Sequence, residues 1–150
     1  MAASNNTIDT VPEQDRGCGA SQEKKIQTDR NGETEMTEVL CFGDSNTWGY
    51  NPKDGSRFSW EIRWTGRLQK ELQGDGIRVL EEGLCGRTTI FEDPLRQGRR
   101  GTELFPVLLE THGQPEFITL MLGTNDCKTV FSASADVIGK GVARLLEQAR

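Results

Sequence analysis

The stretch "VLCFGDSNTWGY", Val39 to Tyr50, runs from four apolar residues straight into Gly43, Asp44 and Ser45. An apolar run of that length, closed by a glycine, has the pattern of a buried strand. Ser45 then stands on the lip of a sheet, where a nucleophilic hydroxyl can meet a substrate. Asp44, Ser45 and Asn46 equally suit a plain turn or a helix N-cap. The rest of the chain decides between these readings, since a working serine needs a base and groups to hold an oxyanion.

Downstream, strand and helix patterns alternate. Trp64, Leu68 and Leu72 recur every four residues along "EIRWTGRLQKELQ", a one-faced helix stopped by "GDG". "IRVLEEG" is a second strand with Ile77 and Val79 on one face. Leu104, Val107 and Leu108, with Thr111, mark a short helix that places Pro106 near its first turn. "FITLML", Phe117 to Leu122, is the most apolar run and reads as a parallel strand. Val137, Ile138, Val142, Leu145 and Leu146 form the stripe of a last helix, which Gly139 and Gly141 weaken by about 1 kcal/mol each. Such alternation predicts an α/β fold, a doubly wound parallel sheet with flanking helices. Ligands in such sheets bind at the carboxyl ends of the strands.

Three loops fall at those ends. The first carries Ser45 after Gly43. The second, "EEGLCGRTT", has Gly83 and Gly86, where a backbone N–H can approach a ligand closely. The third, "GTNDCK", offers the Asn125 amide. Taken singly, each reads at least as well as an ordinary turn. Together they bring a hydroxyl, a glycine N–H and an amide to one rim, the inventory for acyl transfer.

The blocks "FGDSNTWG", "GLCGRTT" and "LGTNDCK", with "RWTG" at Arg63 to Gly66, resemble the first three blocks of the SGNH (GDSL) hydrolases. The similarity is to their arylesterase/acyltransferase branch and covers residues 38 to about 150 in order. The resemblance implies Ser45 as nucleophile, with Gly86 and Asn125 completing the oxyanion hole and Asp44 and Thr47 orienting the turn. Trp48, Tyr50 and Trp64 are candidates for walls of the substrate pocket, with core or interface packing the alternative for each. The resemblance implies no metal and no organic cofactor, and it implies self-association. The turn differs from the G-x-S-x-G elbow, because Thr47 stands where the second glycine would be.

The family's remaining block, a C-terminal Asp-x-x-His, has no match here. The one histidine, His112, falls at a helix end before the strand that leads to Asn125, with Gly113 as the cap. That position predicts the amino-terminal edge of the sheet, away from Ser45. Neither Asp44 nor Asp126 is a strong base toward a hydroxyl. Serine proteases stripped of a triad member keep only about 10³–10⁴-fold over water, so the chain as written is expected to be nearly inert. The family's strand order, 2-1-3-4-5, would leave the outer edge of "FITLML" bare, the mark of a domain incomplete at its C-terminus.

Residues 1–37 have no aromatic side chain and few large aliphatics, so they are expected to form a disordered tail ahead of a hydrolase domain over 38–150. Met36, just before the first strand, is a candidate natural start. The net charge of -5 and the lack of a basic block argue against nucleic acid and anionic membranes as partners. No apolar run approaches a membrane span and no secretory pattern opens the chain, so a cytoplasmic protein is expected. Cys18, Cys41, Cys85 and Cys127 have no zinc-ligand spacing and read as free, mostly buried thiols.

The function these readings support is a serine esterase acting on small carboxylic esters. A non-catalytic binding module is the rival. A nucleotide-binding domain is weaker, since "IGKGV" has no phosphate loop ahead of its lysine.

Overall fold

A computed structural model describes residues 36–150. The expected tail over residues 1–35 lies outside the described residues. β1 (Thr37–Gly43) starts at Thr37, so that residue belongs to the sheet and not to the tail. After it come α1 (Ser45–Trp48), α2 (Trp64–Glu71), β2 (Ile77–Gly83), α3 (Gly101–Thr111), β3 (Phe117–Met121) and α4 (Ala135–Gln148), with two short 3₁₀ turns between β3 and α4. The sheet has three parallel strands in the order β2-β1-β3.

β1 is central and is buried on both faces, as its unbroken apolar run requires. Leu40 and Phe42 face α3 and α4, where they pack with Leu80, Phe105, Leu109 and Leu145. Burial of each such side chain is worth about 1.5–3 kcal/mol. Val39, Cys41 and Val79 face the other way, against Trp64, Leu68 and Leu72 of α2. Helices therefore cover both faces, the doubly wound arrangement expected. β3 pairs with β1 alone among the described strands, and Phe117 and Met121 at its two ends are exposed.

Three local expectations are corrected. α3 begins at Gly101, so Pro106 sits past its first turn, and its buried residues are Gly101, Phe105 and Leu109 while Val107 is exposed. A proline there cannot donate to the carbonyl four residues back. The Gln148 side-chain amide from α4 donates to that Thr102 carbonyl instead, at 2.9 Å. Leu146 of α4 is exposed, and Gly141 takes a place on the buried face beside Leu145. A Cβ at Gly141 would lie 2.2 Å from Thr89 Oγ1, so the helix gives up some propensity for close approach. Of the described cysteines, which are all free, only Cys41 is buried; Cys85 is half-buried and Cys127 exposed.

The "RWTG" block is structural. Arg63 and Arg57 pair with the Glu81 carboxylate of β2, and Thr65 Oγ1 donates to it. Trp64 packs into the core. Gly66 leaves room for the Trp60 carbonyl, 1.9 Å from where a Cβ would be. This cluster fastens the loop after α1 to the sheet.

Candidate active site

β1 and β2 end in register at Gly43 and Gly83, and Gly43 is also paired with Met121 at the end of β3. The three loops therefore leave the sheet side by side. α1 sits directly on this edge. A Cβ on Gly43 would lie 2.1 Å from Thr47 Oγ1, and one on Gly83 would lie 2.2 Å from the Trp48 backbone nitrogen. Both glycines are thus demanded by the close seat of the serine turn, which the sequence explained only as freedom of the backbone.

Asp44 is the N-cap of α1. It is buried, and its carboxylate accepts from the Asn46 N–H at 2.9 Å. Ser45 opens the helix half-buried, and neither its N–H nor its Oγ has a hydrogen-bond partner among the described residues. An N–H in the first turn of a helix has no intrahelical acceptor, so it remains available to an anion. Gly86 has φ +87, a left-handed conformation suited to glycine, and its N–H is likewise unpaired among the described residues.

Asn125 connects all three loops. It lies in the 3₁₀ turn Asn125–Cys127, and its Nδ2 donates to the Arg87 carbonyl at 3.1 Å and, more distantly, to Asp44 Oδ2 at 3.5 Å. Its neighbour Asp126 is fully buried and accepts from the Thr89 N–H at 2.9 and 3.1 Å, with Thr89 Oγ1 also donating. That carboxylate is committed to holding the second loop to the third. Arg87, buried in the second loop, braces the same junction. It donates to the carbonyls of Gly43 at 3.0 Å and of Glu82, and its guanidinium lies 4.0 Å from the Phe42 ring centre. Burial pushes its pKa down to about 10, opposed chiefly by Glu82, so it stays charged at neutral pH.

The aromatic candidates separate. Trp48 is half-buried beside the serine turn, with the Arg57 guanidinium 5.1 Å from its ring. Tyr50 is exposed, and its N–H donates to the Ser45 carbonyl at 2.9 Å. The indole of Trp64 packs against the Val39, Cys41 and Val79 cluster, the core alternative open to it in the sequence.

His112 caps α3 and is followed by Gly113 at φ +69, as its sequence suggests. Its ring is not left at the amino edge of the sheet. Nε2 lies 2.9 Å from Glu82 Oε1, a residue one short of the carboxyl end of β2. The imidazole is therefore paired with Glu82, and it makes no contact with Ser45, Gly86 or Asn125 among the described interactions. The sequence missed the Glu82–His112 and Glu81–Arg57–Arg63 pairings, whose partners lie far apart in the chain. No group of residues able to hold a metal ion occurs among the described residues.

The parallel α/β sheet thus presents a serine turn, a left-handed glycine and an oriented asparagine at one rim, the carboxyl ends of its strands, where ligands bind in sheets of this class. Residues 41–150 match the GDSL-like lipase/acylhydrolase family, and the chain belongs to that family. Among solved structures, the inhibitor-bound aryl esterase of M. smegmatis is 40% identical with a TM-score of 0.71, over 75% of this chain and 54% of that one. A carbohydrate acetylesterase family member from Sinorhizobium meliloti is 42% identical with a TM-score of 0.71, over 75% of this chain and 53% of that one. AlinE4, an SGNH-hydrolase family esterase, shares the fold at 24% identity, with a TM-score of 0.55 over 76% of this chain and 53% of that one. The chain thus spans about half the length of these structures. Among curated proteins none matches it.

Proposed function

We propose that the chain carries the nucleophile and oxyanion hole of a carboxylic ester hydrolase acting on small esters. Ser45 Oγ bonds to the ester carbonyl carbon, and the carbonyl electron pair moves onto oxygen. The N–H of Ser45, the N–H of Gly86 and the Asn125 N–H not held by Arg87 O receive that oxyanion. Its collapse breaks the bond to the alcohol, which leaves with the proton given up by Ser45. Water, or a second alcohol, then takes the acyl group from Ser45. Asp44 positions the turn, and Trp48 and Tyr50 border the substrate.

The observation that carries this reading is the anchorage of the Asn125 amide, one N–H held by Arg87 O at 3.1 Å and the other only 3.5 Å from Asp44 Oδ2, a contact long enough to yield to an oxyanion. An amide oriented by one fixed N–H, next to the turn that carries Ser45, can present its second N–H to an anion. The names of the relatives, aryl esterase and acetylesterase, support aryl and sugar acetates as first substrates to try. Because His112 is engaged with Glu82, acylation is expected to be slow and deacylation slower, so an acyl-enzyme accumulates. 4-Nitrophenyl acetate should give a burst of nitrophenolate of about one per chain, absent in Ser45→Ala. Release without a burst, equal in both proteins, would reject the reading.

The unpaired Ser45 hydroxyl also favours a second reading, a rim that binds a small ligand without reacting. In that case Ser45→Ala leaves ligand affinity intact and no acyl-serine ever forms.

A further inference from the structure

Two guanidinium groups flank Gly86 from the loop that follows it. A Cβ built on Gly86 would lie 3.3 Å from Arg96 Nη1 and 3.6 Å from both Cδ and Nε of Arg99. The loop that carries them is closed at its neck, where Thr88 N donates to the Arg99 carbonyl at 2.9 Å and Gly101 N to the Thr88 carbonyl at 3.0 Å. Arg99 is anchored further, with Nε on the Cys85 carbonyl at 2.9 Å and Nη1 on the Gln97 carbonyl at 2.8 Å. These are backbone acceptors, so its charge is not neutralised. The Arg96 side chain is exposed and makes no hydrogen bond or ion pair among the described residues.

No neighbouring carboxylate forms an ion pair with Arg96 or Arg99 among the described residues. Asp93, within electrostatic reach of Arg96, is held by Lys128 at 2.8 Å. Glu81 is paired with Arg57 and Arg63, whereas Asp44 and Glu92 accept only from neutral donors, Asn46 N, the Asn125 amide and Gly98 N, and keep their charge. A chain of net charge -5 therefore places two guanidiniums, neither of them ion-paired among the described residues, beside one donor of its oxyanion hole. At Cys85, burial pushes the thiol up, Arg96 and Arg99 oppose that push, and Asp44 adds to it. The two guanidiniums stand in the direction a side chain of Gly86 would take. That direction differs from its N–H, so they line the wall beside the hole and do not point down it.

We propose that Arg96, backed by Arg99, selects esters that carry a carboxylate on the part of the substrate lying over Gly86. This rests on the esterase reading above. A guanidinium presents paired donors that match a carboxylate, and the anchoring of Arg99 lowers the ordering cost of the pair.

The experiment has two arms that fail independently. In the first, amide signals of Cys85, Gly86 and Arg87 are followed in the ¹⁵N-labelled chain during titration with 4-hydroxybenzoate and, separately, with 4-hydroxybenzamide. The carboxylate should shift them at lower concentration than the amide, less so at high salt, and the difference should vanish in Arg96→Gln. This arm needs no catalysis, so it stands even if the esterase reading falls. In the second, acylation of Ser45 by 4-acetoxybenzoate and by 4-acetoxybenzamide is compared, each normalised to its hydrolysis in buffer. The ratio should favour the anionic ester by about fivefold. It should collapse to about one in Arg96→Gln and persist in Arg67→Gln, a change at an exposed arginine on α2. Equal shifts by both probes, or a ratio unaltered by Arg96→Gln, would overturn the proposal. Failure of both esters to acylate Ser45 would reject the esterase reading and leave the first arm to decide the anion site.

Discussion

The amide of Asn125 reaches the Asp44 carboxylate, 81 residues earlier in the chain, at 3.5 Å, while the same nitrogen donates to the Arg87 carbonyl at 3.1 Å. One side chain thus fixes the relative position of the serine turn and the glycine loop. Shortening it should harm chemistry more than folding. Asn125→Ala is expected to slow Ser45 acylation by about 10²–10³-fold and to cost about 1 kcal/mol of stability. Burst rates and urea melts on the same protein samples check the split. A stability loss that accounts for the whole drop in rate would refute a preorganising role.

The seat of α1 gives a second expectation. Gly83→Ala places a methyl 2.2 Å from the Trp48 backbone nitrogen, whereas Gly43→Ala meets the Thr47 side chain at 2.1 Å. A backbone obstacle cannot rotate away. Gly83→Ala should therefore destabilise by about 3 kcal/mol and abolish labelling of Ser45. Gly43→Ala in a Thr47→Ala background should recover part of its loss, which chemical denaturation would reveal.

Pro106 and Gln148 make a double-mutant cycle. Gln148→Ala strands the Thr102 carbonyl and should cost about 1–2 kcal/mol. In a Pro106→Ala background the new N–H takes that carbonyl, so the same change should cost little. Equal costs in both backgrounds would show that Gln148 acts elsewhere.

The Asp93–Lys128 pair sets an acid response. The Lys128 hydrogen bond is the main cause holding the Asp93 carboxyl below its ordinary value, with the Leu95 N–H next. A carboxyl lowered on folding lends stability above its unfolded pKa and loses it as pH falls through the folded one. Wild type should thus exceed Lys128→Met in melting temperature at pH 6, and the gap should close below about pH 4. A gap constant down to pH 3 would mean that the ion pair adds nothing.

The doubly wound sheet and its rim were legible in the sequence because they rest on short-range signals. Apolar runs ended by glycine mark β1 and its neighbours, and four-residue spacing marks α2. α3 was misplaced because its outward Val107 is apolar while Pro106 suggested a start, and only Gln148, far along the chain, shows how that proline is tolerated. Gly141 looked like a weakness until Thr89 was found against it. The pairing of His112 with Glu82 and the charge beside Gly86 depend on long-range placement, which periodicity does not encode.

The most direct test of the central claim is peptide mass spectrometry after brief exposure to 4-nitrophenyl acetate. The account predicts an acetyl group on the Ser45 peptide, lost in Ser45→Ala and strongly reduced in Asn125→Ala. Acetylation spread over surface lysines, with Ser45 unmodified, would contradict it.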